Sequence, residues 1–184
     1  MSRFWRAFYI FMETKINTVK KSLVGLIFSF FLIFIDQITK ILAIQQLKDD
    51  NAFVLIDGVF ELRYLENRGA AFGILQGKKI FVILFTLIAL CLIAYIYLKR
   101  IPAERKFRFL DVICILFFSG AIGNFIDRIM RNYVVDFFYF KLIDFPIFNV
   151  ADVYVTVAAF AMILLGLFYY KEEDYNKLFP SKKK

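Results

Sequence analysis

Histidine is absent from the 184 residues, and cysteine occurs only twice. Without imidazole the chain cannot perform Ser-His-Asp or Cys-His catalysis, and it cannot build a metal site that needs a histidine ligand. Cys91 and Cys114 each lie inside an apolar run, which argues against a disulfide framework or a zinc cluster. Hydrophobic residues make up 61% of the chain, more than in a soluble domain or a disordered segment. We therefore expect a protein that folds in a membrane.

Four apolar runs are long enough to cross a bilayer, since about 20 helical residues suffice. They cover residues 23–44, 80–98, 112–130 and 153–170. The pattern predicts an α-helical integral membrane protein with four transmembrane helices and a single membrane domain over residues 1–184. No small-x-small cleavage site follows the first run, which argues against a removed signal peptide. The basic leader, residues 1–22, is predicted to be either an amphipathic helix on the membrane surface or disordered.

Lysine and arginine are unequally distributed among the connecting segments. Fifteen of the 24 lie in residues 1–22, 99–108 and 171–184, whereas seven lie in residues 45–79 and 131–149 beside seven acidic residues. The positive-inside rule therefore predicts that both termini, including the basic tail 171–184, are cytoplasmic, and that the other two loops lie outside. The net charge of +8 is explained by this topology and by attraction to anionic lipid. Membrane lipid is thus an expected partner, and nucleic acid is not.

The outer loop, residues 45–79, contains the pattern of a β-hairpin. An apolar run at residues 53–56 is followed by Asp57-Gly58 and then by residues 59–65, in which charged and apolar side chains alternate. Asp-Gly between such runs is typical of a tight turn, and alternation is typical of a strand with one wet face. The pattern predicts a small extracytoplasmic β-sheet on the helices.

Ionisable residues are concentrated near the predicted outer ends of the helices. Each charge costs about 3 kcal/mol at mid-membrane and less near the interface, so these groups must compensate one another or contact water. The six residues are Asp36, Lys40, Asp127, Arg128, Asp136 and Asp152.

Some of these residues have a structural explanation. Asp36 and Lys40 are spaced i,i+4 on the first helix, as in an ion pair. Asn124 and Arg128 have the same spacing on the third helix, with Asp127 beside them. We interpret both groups as supports that brace neighbouring helices.

The two remaining acids differ from each other. Asp152 and Asn149 open the fourth helix, where either side chain is suited to capping. Asp136 has no such role, because it is flanked by valine and phenylalanine on both sides, where desolvation raises a carboxyl pKa. Two carboxyls brought together at low dielectric share a proton, which is the arrangement of aspartic proteases. Two aspartates sixteen positions apart are a weak signal alone.

Three other functions are compatible with parts of this pattern. A proton- or ion-coupled transporter also carries acids in its helices, although no internal repeat is visible here. A Ser-Lys protease would use Ser119 and Lys40, but Ser119 precedes a glycine and is better explained by helix packing. A non-catalytic assembly subunit gives no reason for Asp136.

Five blocks of the sequence together resemble the signature blocks of lipoprotein signal peptidase, which is signal peptidase II (prolipoprotein signal peptidase) of bacteria. The resemblance implies an aspartic endopeptidase of the bacterial inner membrane with four helices and an extracytoplasmic β-cradle. It implies cleavage of prolipoproteins just before their diacylglyceryl-modified cysteine, at the outer leaflet, without a metal or cofactor. Separately, we expect the protein to be a monomer. The blocks are residues 34–40, 67–72, 120–128, 134–137 and 148–152.

The resemblance also implies roles for individual residues. The catalytic pair is expected to be Asp136 and Asp152, in agreement with the unexplained acid found above. Other positions are expected to surround the pair and the substrate, namely Asn67, Gly69, Asn124, Arg128 and Asn149. Three more, Asp36, Lys40 and Asp127, are expected to support the site. The leader and the lysine-rich tail lie outside the blocks.

Overall fold

The computed structural model describes residues 3–49, 52–69 and 79–180. Within that part of the chain, four helices are long and apolar enough to cross a membrane, as the sequence predicts. The helices are α1 (Arg3–Leu47), α2 (Lys79–Tyr95, extended by a π-helix at Ile96–Arg100), α3 (Arg108–Met130), α4 (Val150–Phe168) and the short α5 (Glu172–Leu178); the strands are β1 (Phe53–Ile56), β2 (Phe60–Asn67) and β3 (Val134–Tyr139).

The first helix is much longer than a bilayer requires. It begins at Arg3, so the backbone of the basic leader from that residue onward is helical and continuous with the first apolar run. Its apolar part, Ile16–Leu47, is long enough to cross a membrane. Near its middle, a side chain at Gly25 would meet the Tyr97 hydroxyl at 2.7 Å, and Tyr97 donates a hydrogen bond to the Lys21 carbonyl. A side chain at position 25 would therefore require Tyr97 to move where α1 meets the end of α2.

The hairpin predicted from residues 53–65 is present. Gly58 has φ +69° in the turn between β1 and β2, and Val59 N–H donates to the Ile56 carbonyl at 3.0 Å. The sheet has a third strand, β3, which pairs antiparallel with β2 and gives the order β1-β2-β3. Asp136 lies within this strand, opposite Leu65. The β3 edge is joined by Phe148, and the sheet therefore connects the end of α3 to the start of α4.

The sheet packs on one end of the helical bundle, which we call the sheet end. Ala43 and Leu47 near the end of α1 form a buried cluster with Val135 and Phe137 of β3. These contacts are apolar. Each Å² of apolar surface that they remove from water stabilises the packing of the sheet on the helices by about 25 cal/mol. Asp136 lies between Val135 and Phe137 in β3, so the burial of these two side chains fixes the position of its backbone.

At the other end of the bundle, the predicted basic tail contains α5. The ring of Phe107, which is fully buried, stacks on Tyr170 with the ring centroids 5.6 Å apart. Asp174 of α5 forms an ion pair with Lys106, whose ammonium lowers the pKa of that carboxyl. The short helix therefore joins the end of α4 to the connection between α2 and α3.

Candidate active site

The Asp136 carboxyl is almost completely buried and lies between two asparagine amides. Asn67 of β2 donates from Nδ2 to Oδ2 at 2.9 Å, and Asn149 donates from Nδ2 to Oδ1 at 2.6 Å. Burial, and after it the negative charge of Asp152, raises the pKa of Asp136 to about 7. The two amide hydrogen bonds oppose that rise because they stabilise the ionised form. Asp136 can therefore hold a proton near neutral pH.

Asp152 lies at the start of α4, where it forms a capping box with Asn149. Asp152 N–H donates to the Asn149 side-chain oxygen at 3.0 Å, and Asn149 N–H donates to Asp152 Oδ2 at 3.1 Å. The other carboxyl oxygen, Oδ1, accepts from Asn124 Nδ2 at 2.8 Å. Asn149 thus contacts both Asp136 and Asp152, and capping leaves one oxygen of Asp152 for other contacts.

Both acids line a cavity of about 670 Å³ at the sheet end of the bundle. The side chains of Asn67, Asn124 and Arg128 line the same cavity, as do two threonines, Thr86 and Thr156. Its remaining wall is mainly apolar and comes from α2, α3, α4 and the segment before α4. The cavity can therefore admit an apolar chain and present two adjacent carboxyls to it, one of which readily holds a proton.

Lys40 makes the predicted ion pair with Asp36 and has further contacts. Its ammonium lies 2.9 Å from Asp36 Oδ2 and 3.1 Å from Asp127 Oδ2, and it donates to Asn124 Oδ1 at 2.9 Å. The side chains of Lys40, Asp36 and Asp127 are all fully buried. Separating α1 from α3 would break the Lys40–Asp127 contact and leave a buried charge without its partner, which is costly. The three groups therefore hold α1 and α3 together.

The predicted bracing group on α3 is divided in the structure. Asp127 and Asn124 both contact Lys40 and so link α3 to α1, as expected, whereas Arg128 does not contact Lys40; Asn124 and Arg128 also border the cavity. Arg128 and Asn124 are in contact, as their i,i+4 spacing predicts. The contact is a hydrogen bond of 3.1 Å from the Arg128 guanidinium to the backbone carbonyl of Asn124, and not to its side chain. This leaves the Asn124 amide free to contact Asp152. The helical spacing predicted proximity correctly, and it could not tell which atoms would meet.

The described part of the loop after β2 is held against α3. Arg128 donates to the Gly69 carbonyl at 3.1 Å, and Gly69 N–H donates to the Asn67 side-chain oxygen at 3.0 Å. These bonds orient the Asn67 amide so that its NH₂ group faces Asp136. The rest of this predicted block, residues 70–72, lies outside the described residues.

Two residues near the site were not singled out from the sequence. Gln37 donates to Asp36 Oδ2 and to the Gly123 carbonyl, both at 3.1 Å. Arg131 forms an ion pair with Asp127 at 2.5 Å. The i,i+4 spacing of Asp127 and Arg131 is a sequence signal that could have identified Arg131. Gln37 carries no comparable signal because its partners come from α3 as well as from its own helix.

Ser119 and Lys40 have separate partners. Ser119 is fully buried, and its hydroxyl donates to the Ile115 carbonyl of the preceding turn at 2.7 Å. The Lys40 ammonium is directed at Asp36, Asp127 and Asn124. The serine thus has the packing role favoured by its sequence context.

Comparison with known proteins gives a consistent assignment. Residues 28–168 match the family model described as signal peptidase II. The chain is 43% identical to the lipoprotein signal peptidase of Clostridium tetani (strain Massachusetts / E88), over 78% of this chain and 90% of that protein. It is 42% identical to the protein of the same name from Streptococcus thermophilus (strain CNRZ 1066), with the same two coverages.

Two solved structures, both described as bacterial membrane enzymes, share the fold. One has a TM-score of 0.72 and 31% identity, and covers 88% of this chain and 93% of its own. The other has a TM-score of 0.70 and 34% identity, and covers 80% of this chain and 94% of its own. The family match covers α1 from residue 28 onward, the sheet, α2, α3, α4 and both acids of the cavity, and on this evidence the chain belongs to the signal peptidase II family.

Proposed function

We propose that this chain is an aspartic endopeptidase that removes the signal peptide from prolipoproteins. The observation that carries the proposal is the placement of Asp136 and Asp152 on one cavity, joined by the contacts that Asn149 makes to both. Membership of the signal peptidase II family supports peptide-bond hydrolysis, and the relatives are named lipoprotein signal peptidases. The two carboxyls supply an acid and a base without histidine, which the chain lacks.

In the proposed reaction, Asp136 holds the shared proton at rest because its pKa is raised to about 7. Ionised Asp152 takes a proton from a water molecule, whose oxygen adds to the carbonyl carbon of the scissile peptide. Asp136 gives its proton to the carbonyl oxygen, and a neutral tetrahedral diol results. The C–N bond then breaks as the acid now on Asp152 protonates the leaving amine, and the diol returns a proton to Asp136.

The proposed substrate is a prolipoprotein cut just before its diacylglyceryl-modified cysteine. The cavity supports this proposal because polar groups surround the two acids while α2, α3 and α4 supply a mainly apolar wall. A peptide that emerges from a membrane helix would meet both surfaces. The acyl chains of its cysteine would remain in lipid, so that the membrane is a partner in binding. We propose that one chain is sufficient for the reaction.

We propose that the protein lies in the bacterial inner membrane with both termini in the cytoplasm. Support comes from the basic segments at the end opposite the sheet, where Lys21, Lys106 and Lys177 are found. The sheet and the two acids would then lie at the outer leaflet. This is the side on which an exported precursor presents its cleavage site.

The direct test is cleavage by the purified protein in lipid. A diacylglyceryl-modified prolipoprotein is expected to be cut at one bond, leaving the modified cysteine as the new N-terminus in mass spectra. The matched substrate is the same precursor without the lipid, which we expect to be cut at least tenfold more slowly because it loses the membrane contribution to binding. Failure to cut the lipidated precursor would contradict the proposed function.

The Ser119→Ala variant separates the aspartic mechanism from a Ser-Lys mechanism. We expect it to retain cleavage within about twofold of wild type, because its hydroxyl donates to the Ile115 carbonyl and its loss removes only a local hydrogen bond. The measurement is the initial rate on the lipidated precursor. A loss of a hundredfold or more in folded protein would support the serine as nucleophile and oppose our proposal.

A further inference from the structure

Two carboxylates outside the cavity each hold the backbone next to one of the acids on the cavity. Asp36 Oδ1 accepts a hydrogen bond from Ala151 N–H at 2.9 Å, and Ala151 directly precedes Asp152. Asp127 Oδ2 accepts from Val135 N–H at 3.1 Å, and Val135 directly precedes Asp136. Both hydrogen bonds are buried and charge-assisted, which makes them stronger than neutral ones. The backbone beside Asp152 is therefore held by a carboxylate of α1, and the backbone beside Asp136 by a carboxylate of α3.

Lys40 connects these two attachments. Its ammonium lies 2.9 Å from Asp36 and 3.1 Å from Asp127, and so it fixes the distance between the two supporting carboxylates. Arg131 supplies the second positive charge, at 2.5 Å from Asp127. The four side chains are thus two cations and two anions, which makes the group formally neutral in the low-dielectric interior.

Lys40 also contacts the side chain of Asn124, which in turn hydrogen-bonds Asp152. Lys40 donates a hydrogen bond to Asn124 Oδ1. Because an ammonium group can donate hydrogen bonds but cannot accept them, the oxygen of the Asn124 amide, and not its NH₂ group, must face Lys40. The NH₂ group of Asn124 consequently faces Asp152 Oδ1, to which it donates at 2.8 Å. Lys40 therefore sets the orientation of an amide that hydrogen-bonds an acid directly.

From these contacts we infer that Lys40 is a positioning residue, which sets the separation and orientation of Asp136 and Asp152 through Asp36, Asp127 and Asn124. The inference rests on the proposed function, in which the two acids are catalytic. Lys40 touches neither acid in this arrangement: it positions them through its three partners, and its charge acts on Asp136 from a distance. Its contribution is expected in the chemical step, since a small displacement of catalytic groups costs rate more than substrate binding.

The test compares two Lys40 variants with a control on the same helix. Lys40→Met removes the ammonium, and Asp36→Asn combined with Lys40→Met removes one charge of each sign, so that the buried group remains neutral and folding is favoured. The control is Lys21→Met, which breaks an α1 ion pair of 2.6 Å with Asp111 at the opposite end of the bundle. Each protein is assayed on the lipidated precursor for kcat, KM and the pH dependence of kcat, normalised to folded protein.

We expect both Lys40 variants to lower kcat at least tenfold while KM changes less than about threefold. In Lys40→Met the alkaline limb of the kcat profile is expected to move to higher pH, because the Lys40 charge stabilises ionised Asp136 and its loss favours the protonated form. Other charges near the acids are unchanged in Lys40→Met, namely Asp36 on α1 and Asp127 and Arg128 on α3, while β2 contributes the neutral Asn67. Lys21→Met is expected to keep the wild-type kcat and profile.

An unchanged kcat and pH profile per folded molecule in the Lys40 variants would overturn the inference, even if the variants were less stable. If Lys40→Met does not fold, the charge-balanced double variant decides. Failure of the proposed function has a different signature, because Asp136→Asn or Asp152→Asn would then retain cleavage whatever the Lys40 variants do.

Discussion

Asp136→Asn and Asp152→Asn are each expected to lower kcat for the lipidated precursor by about 1,000-fold or more, with the protein still folded. The magnitude follows from losing general acid–base catalysis, which contributes about 10² to 10⁴, together with the pairing of the two groups. An amide has nearly the shape of a carboxylate, yet it can neither take a proton from water nor give one to the carbonyl oxygen. The measurement is the single-turnover rate, with thermal unfolding recorded on the same preparations.

The matched control for these variants is Asp144→Asn. Asp144 is an exposed acid in the segment after β3, where it accepts from the Tyr139 hydroxyl at 2.6 Å. Its φ of +48° is a conformation that asparagine tolerates, so the backbone there is not strained by the change. We expect wild-type cleavage from this control. Normal cleavage by either Asp136→Asn or Asp152→Asn would end the aspartic mechanism.

The same mechanism makes the wild-type reaction depend on pH in one direction near neutrality. Because the proposed mechanism requires protonated Asp136, whose pKa is raised to about 7, kcat is expected to fall about tenfold per pH unit above that value. Below it the proton is retained, and this requirement no longer limits the rate.

Gly120→Ala is expected to destabilise the protein by forcing α3 and α4 apart. A Cβ atom at Gly120 would lie 2.6 Å from the Ala151 carbonyl oxygen and 2.7 Å from Val155 Cγ2. The carbonyl belongs to the first turn of α4 and cannot move alone, so the two helices must separate. Overpacking of this kind costs about 1 to 3 kcal/mol. The displaced turn carries Asp152, and kcat should therefore fall as well.

Gly166→Ala in α4 is the control for this effect. Its Cβ atom would meet only the Tyr175 hydroxyl, at 3.3 Å, which is the end of a flexible side chain. We expect little change in melting temperature or kcat, whereas Gly120→Ala should lower both. Equal melting temperatures for the two variants would show that the α3–α4 contact is looser than these distances indicate.

The helices and the hairpin were predictable because their determinants are local. A membrane span needs only a long apolar run, and the run can be read without knowing its neighbours. The hairpin around Gly58 needed only a turn residue between two suitable runs. The i,i+4 pairing of Asp36 with Lys40 was also correct, since helical geometry brings these positions together.

The identity of the contacting atoms was not available from such patterns. Asn124 and Arg128 looked like one bracing group, but Asn124 directs its amide to Asp152 and Arg128 directs its guanidinium to Gly69. The third strand, β3, was not predicted as a partner of β2, because that pairing joins residues about 70 positions apart. Spacing along a helix says which residues are near, and long-range packing decides which way each side chain points.

Composition and motif order were therefore enough to establish a histidine-free membrane protein of four spans and to indicate Asp136 and Asp152. Only the tertiary structure brought Asn149 into contact with both acids and connected Lys40 to the residue before each of them. The physical reason is that directional bonds between distant segments depend on how α1, α3, α4 and the sheet pack together. Burial and the charge of Asp152, which raise the pKa of Asp136, arise from that same packing.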